Sequence, residues 1–172
     1  MPTIEELAAE VAALRRRVEA SEAVLEIQAL KARYGDLVDQ RFSAGEVVDD
    51  LTLDRLAGEV AALFTVDGTW DGGPGLGSAA GRTAIAARLA RPTLTFSRHL
   101  FVKPRIRVAD DRAWARWDLL SPCRRDDGSS YWMCGYEDDE YLRVDGAWLH
   151  HAMKLTTVFM SPVGEGWTRI LA

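Results

Sequence analysis

Apolar positions in the first forty residues recur at helical spacing. Leu7, Val11, Leu14 and Val18 stand four, three and four residues apart, with Arg15, Arg16 and Arg17 on the other faces. Thr3 followed by Glu6 reads as a capping box that starts the helix. Ser21 interrupts this seam, and a second begins at Leu25 or Ile27 and runs through Leu30, Tyr34 and Leu37. The pattern predicts two helices, or one long helix whose apolar face changes phase. The first seam packs either on the protein's own body or on a neighbouring subunit; the sequence leaves both readings open.

Residues 43–51 read as a loop. A helix is predicted over about 52–64, with Leu53, Leu56, Val60, Leu63 and Phe64 at helical spacing. Strand character follows over 65–71, then a glycine-rich loop over 72–81. A helix over about 82–90 ends at Arg91-Pro92, since the residue before proline avoids the helical region. From residue 95 the period changes to two. Leu100 to Val108 alternates, and Ala113 to Leu120 is a second strand with Trp114 and Trp117 within it. Asp127-Gly128 and Asp145-Gly146 mark hairpin turns around a strand at Tyr131–Val144 and another at Trp148–Phe159. Helices first and an antiparallel meander last define an α+β fold, a curved sheet wrapped on the N-terminal helices. Such a cone leaves one mouth open, a natural place for a ligand. The organisation expected is an N-terminal helical extension (1–24), an α+β barrel domain (25–160) and a C-terminal tail (161–172).

Composition narrows the chemistry. Among 172 residues, 21 Lys and Arg stand against 26 Asp and Glu, a net charge of −5 that argues against nucleic acid as a partner. No apolar run reaches the length of a membrane span, and Glu5, Glu6 and Glu10 sit where a secretory leader would be apolar, so a cytoplasmic location is expected. Cys123 and Cys134 are the two cysteines, in no metal-binding spacing, and the adjacent His150 and His151 of a strand point to opposite faces. Neither a metal nor a cofactor is expected. One of those two histidines should face outward and the other pack. The acidic run Glu137 to Glu140 reads as the wet face of a strand.

The stretches Leu30-Lys31-Ala32-Arg33-Tyr34, Leu63 to Asp71 (LFTVDGTWD), Gly81-Arg82-Thr83-Ala84-Ile85 and Asp139 to Trp148 (DEYLRVDGAW) occur in the order found in the SnoaL-like branch of the nuclear transport factor 2-like superfamily. The resemblance spans about residues 25–160. Within that branch, Tyr34, Asp39 and His99 are arranged most like the bile-acid 7α-dehydratases and, more distantly, the scytalone dehydratases. The resemblance implies a cone-shaped barrel and a cofactor-independent lyase that removes water β to a carbonyl. Its substrate would be a bulky, mostly apolar ring such as a steroid or polyketide. It also implies a homo-oligomer, dimer or trimer. Isomerases, polyketide cyclases and epoxide hydrolases share the cone, and so do non-catalytic small-molecule binders, so fold does not fix function.

By that resemblance His99 is the general base and acid, Tyr34 holds a substrate oxygen, and Asp39 orients His99. Asp118, Trp70, Trp117 and Tyr136 are the candidate substrate-binding residues. An imidazole titrates close to neutrality, which suits both taking a proton from carbon and returning it to a departing hydroxyl. The dehydratases carry a second tyrosine where this chain has Trp70 and Asp71, which offers an indole N–H in place of a phenol. Each residue also has a plainer reading: a rim histidine, a core tyrosine bonded to backbone, a solvated carboxylate at a helix end. For Asp118 the plainer reading is an ion pair with Arg116.

Overall fold

The computed structural model describes residues 1–163. The predicted N-terminal helices are one helix, α1 (Ile4–Asp39), of 36 residues and so about 54 Å long. Its capping box is formed, with the Thr3 hydroxyl accepting from Glu6 N and the Glu6 carboxylate accepting from Thr3 N. No proline interrupts it, so the phase change costs no break in backbone hydrogen bonding. The two seams serve different surroundings: the first is exposed, while Ala23, Ile27, Lys31, Tyr34 and Val38 face the body.

After α1 a small hairpin, β1 (Phe42–Ser43) and β2 (Glu46–Val47), turns through Ala44-Gly45, both at positive φ. Helix α2 (Asp50–Ala62) is capped by the Asp49 carboxylate, which accepts from Thr52 N at 2.9 Å. Strand β3 (Phe64–Asp71) follows. The glycine loop expected at 72–81 contains a helical turn, α3 (Gly73–Leu76), and a short strand, β4 (Ser78–Ala80), paired with β3. Helix α4 (Arg82–Leu89) then packs Ile85 and Leu89 inward.

The remaining strands are β5 (Phe96–Ser97), β6 (Leu100–Ala109), β7 (Arg112–Arg124), β8 (Ser130–Val144) and β9 (Ala147–Pro162). The sheet runs β4-β3-β9-β8-β7-β5, with β6 also on β7; it is antiparallel except where β3 lies parallel to β9. The strands outlast their sequence-predicted ends, and β9 takes in Ser161 and Pro162, which the sequence reading gave to the tail. Bulges opposite Cys134–Gly135 and Glu140–Tyr141 leave Val158 and His151 as extra residues in β9 and bend it against β8. The first needs its glycine, because a Cβ at Gly135 would lie 2.3 Å from the Thr156 carbonyl oxygen. The result is the α+β cone expected from the pattern, a curled sheet holding the second half of α1, α2 and α4.

Alternation sorts the long strands into two faces. Ala113, Ala115, Trp117, Leu119, Ser121 and Cys123 of β7 point inward and are buried. On β8 the inward residues are Met133, Gly135, Glu137, Asp139 and Tyr141. The acidic run is therefore split, not wet as a whole: Glu137 and Asp139 are 4% and 2% exposed, while Asp138 and Glu140 face out. Period-two geometry dictates that split once the strand's register is known. His150 is fully buried and His151 is partly exposed, so one of the pair packs and the other faces outward.

Candidate active site

Helix α1 ends at Asp39, and its last turns bring Tyr34 and Asp39 to one end of the cone. His99 enters from the short linker between β5 and β6. The Asp39 carboxylate accepts from His99 Nδ1 at 2.7 Å and from His99 N at 3.1 and 3.2 Å through its two oxygens, and Arg98 Nε lies 3.3 Å away. Both the backbone and the ring of His99 are thus held by one side chain that is only 6% exposed. With Asp39 ionised, the ring proton sits on Nδ1 and Nε2 keeps its lone pair. The His99 ring also stacks on Phe101, centroids 5.7 Å apart.

Tyr34 is buried, and its hydroxyl oxygen accepts a hydrogen bond from Trp70 Nε1 at 3.0 Å. Among the described residues no acceptor takes the phenolic hydrogen, which leaves it for a group in the adjacent cavity. Burial first, and the charge of Glu137 second, push the phenol well above its usual range, so it stays a protonated donor. Trp70 thus orients the Tyr34 hydroxyl.

His99, Tyr34 and Trp70 line one cavity of about 50 Å³. A second of about 290 Å³ adjoins it, sharing Gly72, Leu76, Thr93, Leu94 and Met133 with the first. The inner space admits a few waters' worth of a ligand; the pair together reach the size at which small-molecule sites begin. The sequence missed two polar residues here, Arg41 and Glu137. Arg41 is 8% exposed, lines the inner cavity and gives two hydrogen bonds to the carbonyls of Val38 and Leu89. Among the described residues no carboxylate is in ion-pair contact with it, and burial lowers its pKa from the ordinary arginine value. Glu137 reaches the same cavity from β8 and is bound by Lys31.

Behind Glu137 lies a buried polar chain. The Lys31 ammonium contacts Glu137 Oε2 and Asp139 Oδ2, the latter at 2.8 Å; Tyr141 donates to Asp139 at 2.7 Å, and Trp117 donates to Tyr141 at 3.1 Å. Burial would lower the lysine's pKa, but the attraction of Asp139 and Glu137 outweighs it and holds the pKa above the ordinary value. Burial pushes Asp139 up despite Lys31. His150, stacked on Phe64 and beside Tyr141, is kept neutral by burial and by the lysine charge.

The other sequence candidates go elsewhere. Asp118 lies on the outer face of β7, 3.0 Å from Lys103 and 3.3 Å from Arg105; Arg116 pairs instead with Asp138 at 2.7 Å. Tyr136 shares that outer face, under the Arg116 guanidinium at 4.2 Å from its ring centroid. Neither joins the His99 cavity, because each is an odd number of residues from the inward-facing positions of its strand. Trp117 points inward but packs deeper, on Tyr141. Among the described residues no three His, Cys, Asp or Glu side chains gather as a metal site, and no helix is long and apolar enough to cross a membrane.

A curled antiparallel sheet wrapped on a long first helix is the architecture of the SnoaL-like class of cone folds. The chain belongs to the SnoaL-like domain family, whose pattern matches residues 19–154. No curated protein matches the sequence. Among solved structures it is similar to a protein assigned as a scytalone dehydratase from Novosphingobium aromaticivorans: 20% identity, TM-score 0.67, 86% of this chain and 92% of that one. It is also similar to the hexachlorocyclohexane dehydrochlorinase LinA-type3 from Novosphingobium barchaimii: 18% identity, TM-score 0.70, 87% and 95%. A third, an NTF2-like protein with a cystatin-like fold from Novosphingobium aromaticivorans, shares 23% identity with TM-score 0.62 over 92% of both chains. At these identities the likeness is one of fold.

Proposed function

We propose that this protein is a cofactor-independent carbon–oxygen lyase acting on a ring substrate with a hydroxyl β to a carbonyl. The observation that carries the reading is the His99–Asp39 pair, which leaves a basic nitrogen at a cavity that also receives the free phenolic hydrogen of Tyr34. His99 Nε2 takes the proton from the carbon next to the carbonyl. The electrons move onto the carbonyl oxygen, where the Tyr34 O–H strengthens its hydrogen bond as negative charge grows, and the Arg41 cation adds to that stabilisation. The carbon–oxygen bond then breaks, and the hydroxyl leaves with the proton carried by His99. Substrate becomes an unsaturated ketone and water. Apolar walls from Leu76, Leu94 and Met133 favour the body of the ring. Two similar structures bear names of elimination enzymes, which agrees with an elimination on this scaffold.

Incubation with cyclic β-hydroxyketones tests the reading, followed by mass and ultraviolet absorbance. The expected product is lighter by one water and carries a conjugated double bond. A product of unchanged mass would replace dehydration with isomerisation or cyclisation, and saturable binding without turnover would make the protein a small-molecule binder. Tyr34→Phe separates the phenol's two roles. Its ring packing is kept, so the fold should survive, while kcat falls about 10- to 1000-fold from loss of one oxyanion donor. Trp70→Phe should fall less, because it misorients the phenol without removing it; steady-state kinetics of the two variants checks that order.

A further inference from the structure

From Met1 to Glu22 no side chain is buried; at Ala23 and Ile27 exposure drops to 4% and 0%. The first turns of α1 therefore stand out from the body as a free arm. An isolated helix of that length is marginal in water. Its apolar residues are regularly placed. Ile4, Val11, Val18 and Leu25 are each seven residues apart, as are Leu7, Leu14 and Ser21, and the two sets interleave at three- and four-residue steps. Every apolar member is between 46% and 85% exposed. This is the heptad seam of a coiled coil, with three β-branched residues at the a positions and leucine at two of the d positions, the combination that favours two parallel strands.

The flanking charges fit the same arrangement. Glu10 and Arg17 occupy g positions and Arg15 and Glu22 occupy e positions. In a parallel, in-register pair each g residue faces the e residue five positions on in the other helix. Glu10 then meets Arg15 of the second copy, and Arg17 meets Glu22, with both pairs repeated by symmetry. Among the described residues none of these four charges has an ion-pair partner within its own chain.

The body does not obstruct such a pair. Ala23 and Ile27, through which α1 joins the cone, are each two residues from Leu25 and so about 200° round the helix from it. The seam lies on one side of α1 and the body on the other. We propose that residues 4–25 form a parallel two-stranded coiled coil with a second copy of this chain, and that the two cones hang from the outside of that stalk.

Sedimentation equilibrium of the full chain should give twice its 19.1 kDa mass. The double variant Arg15→Glu, Arg17→Glu makes every g–e pair acidic, and Glu10→Arg, Glu22→Arg makes every pair basic. Each alone should sediment as a monomer, and an equal mixture should restore the dimer as a heterodimer. Leu7→Cys, in a Cys134→Ser background, should cross-link to itself under mild oxidation. The proposal is overturned by a monomeric or three-chain parent, by charge variants that stay dimeric through some other surface, by a mixture that does not reassociate, or by absence of the Leu7→Cys cross-link. The arm lies outside the core, so an unchanged thermal transition of the body shows that each variant is folded.

Discussion

His99→Ala should lower turnover of a β-hydroxyketone by about 100- to 10,000-fold while leaving the thermal unfolding transition in place. The ring contributes stacking on Phe101 and its contact with Asp39, but the cone's core does not rest on it. Asp39→Asn should act through the same atom by a different route. An asparagine can present an N–H to Nδ1 and so stabilise the tautomer whose proton sits on Nε2, where it cannot act as base. The loss should approach that of His99→Ala even though the geometry is kept. Measuring both with one substrate, alongside the double variant, checks that they act as a unit: the double should cost about as much as the worse single, not the product of the two. Full activity in His99→Ala would falsify the assignment of the base, and equal loss of substrate binding and turnover would recast the pair as a binding element.

The fold was legible because each level of pattern agreed. Capping at Thr3, period-three-to-four seams before residue 90 and period two after 95 all pointed to one α+β cone. The site was legible only in part. Tyr34, Asp39 and His99 were marked by resemblance, and the structure brings the last two into contact and sets the first at the same cavity. Asp118 and Tyr136 went astray because sequence alternation gives two faces without saying which is inside. In β9 the count itself shifts, because the extra residue His151 moves the inward positions from Trp148 and His150 to Met153 and Leu155. Trp70 was placed near the pocket, but its hydrogen bond to Tyr34 depends on a contact 36 residues apart that no local pattern encodes. Lys31 did leave a trace, as a charge four residues after Ile27 on the buried face of a helix. The rule that charges on an amphipathic helix face water hid it, and its two carboxylate partners lie more than a hundred residues on.

That same lysine sets the largest stability effect expected. Lys31→Met should destabilise the fold by about 3 to 5 kcal/mol at neutral pH, because it leaves Glu137 and Asp139 facing each other in the interior with no cation. The triple variant with Glu137→Gln and Asp139→Asn removes the stranded charges as well and should recover much of the loss, since a buried ion pair owes little of its worth to net attraction. The pH dependence has a definite sign. Burial already raises Asp139 to about 6 with Lys31 present, and removing the lysine raises it further. A carboxyl whose folded pKa lies above its unfolded value of about 3.9 binds protons more tightly in the native state. Its cost is therefore full above the folded pKa and relieved as the pH falls toward the unfolded one. Urea unfolding of Lys31→Met should show a higher midpoint at a pH of about 5 than at about 8, a gap wider than in the parent and absent from the triple variant. Equal midpoints at the two pH values would mean that water reaches the two carboxylates. Because Glu137 also lines the inner cavity, the triple variant carries a second readout. A fold restored without activity would show that this carboxylate serves the chemistry as well as the lysine.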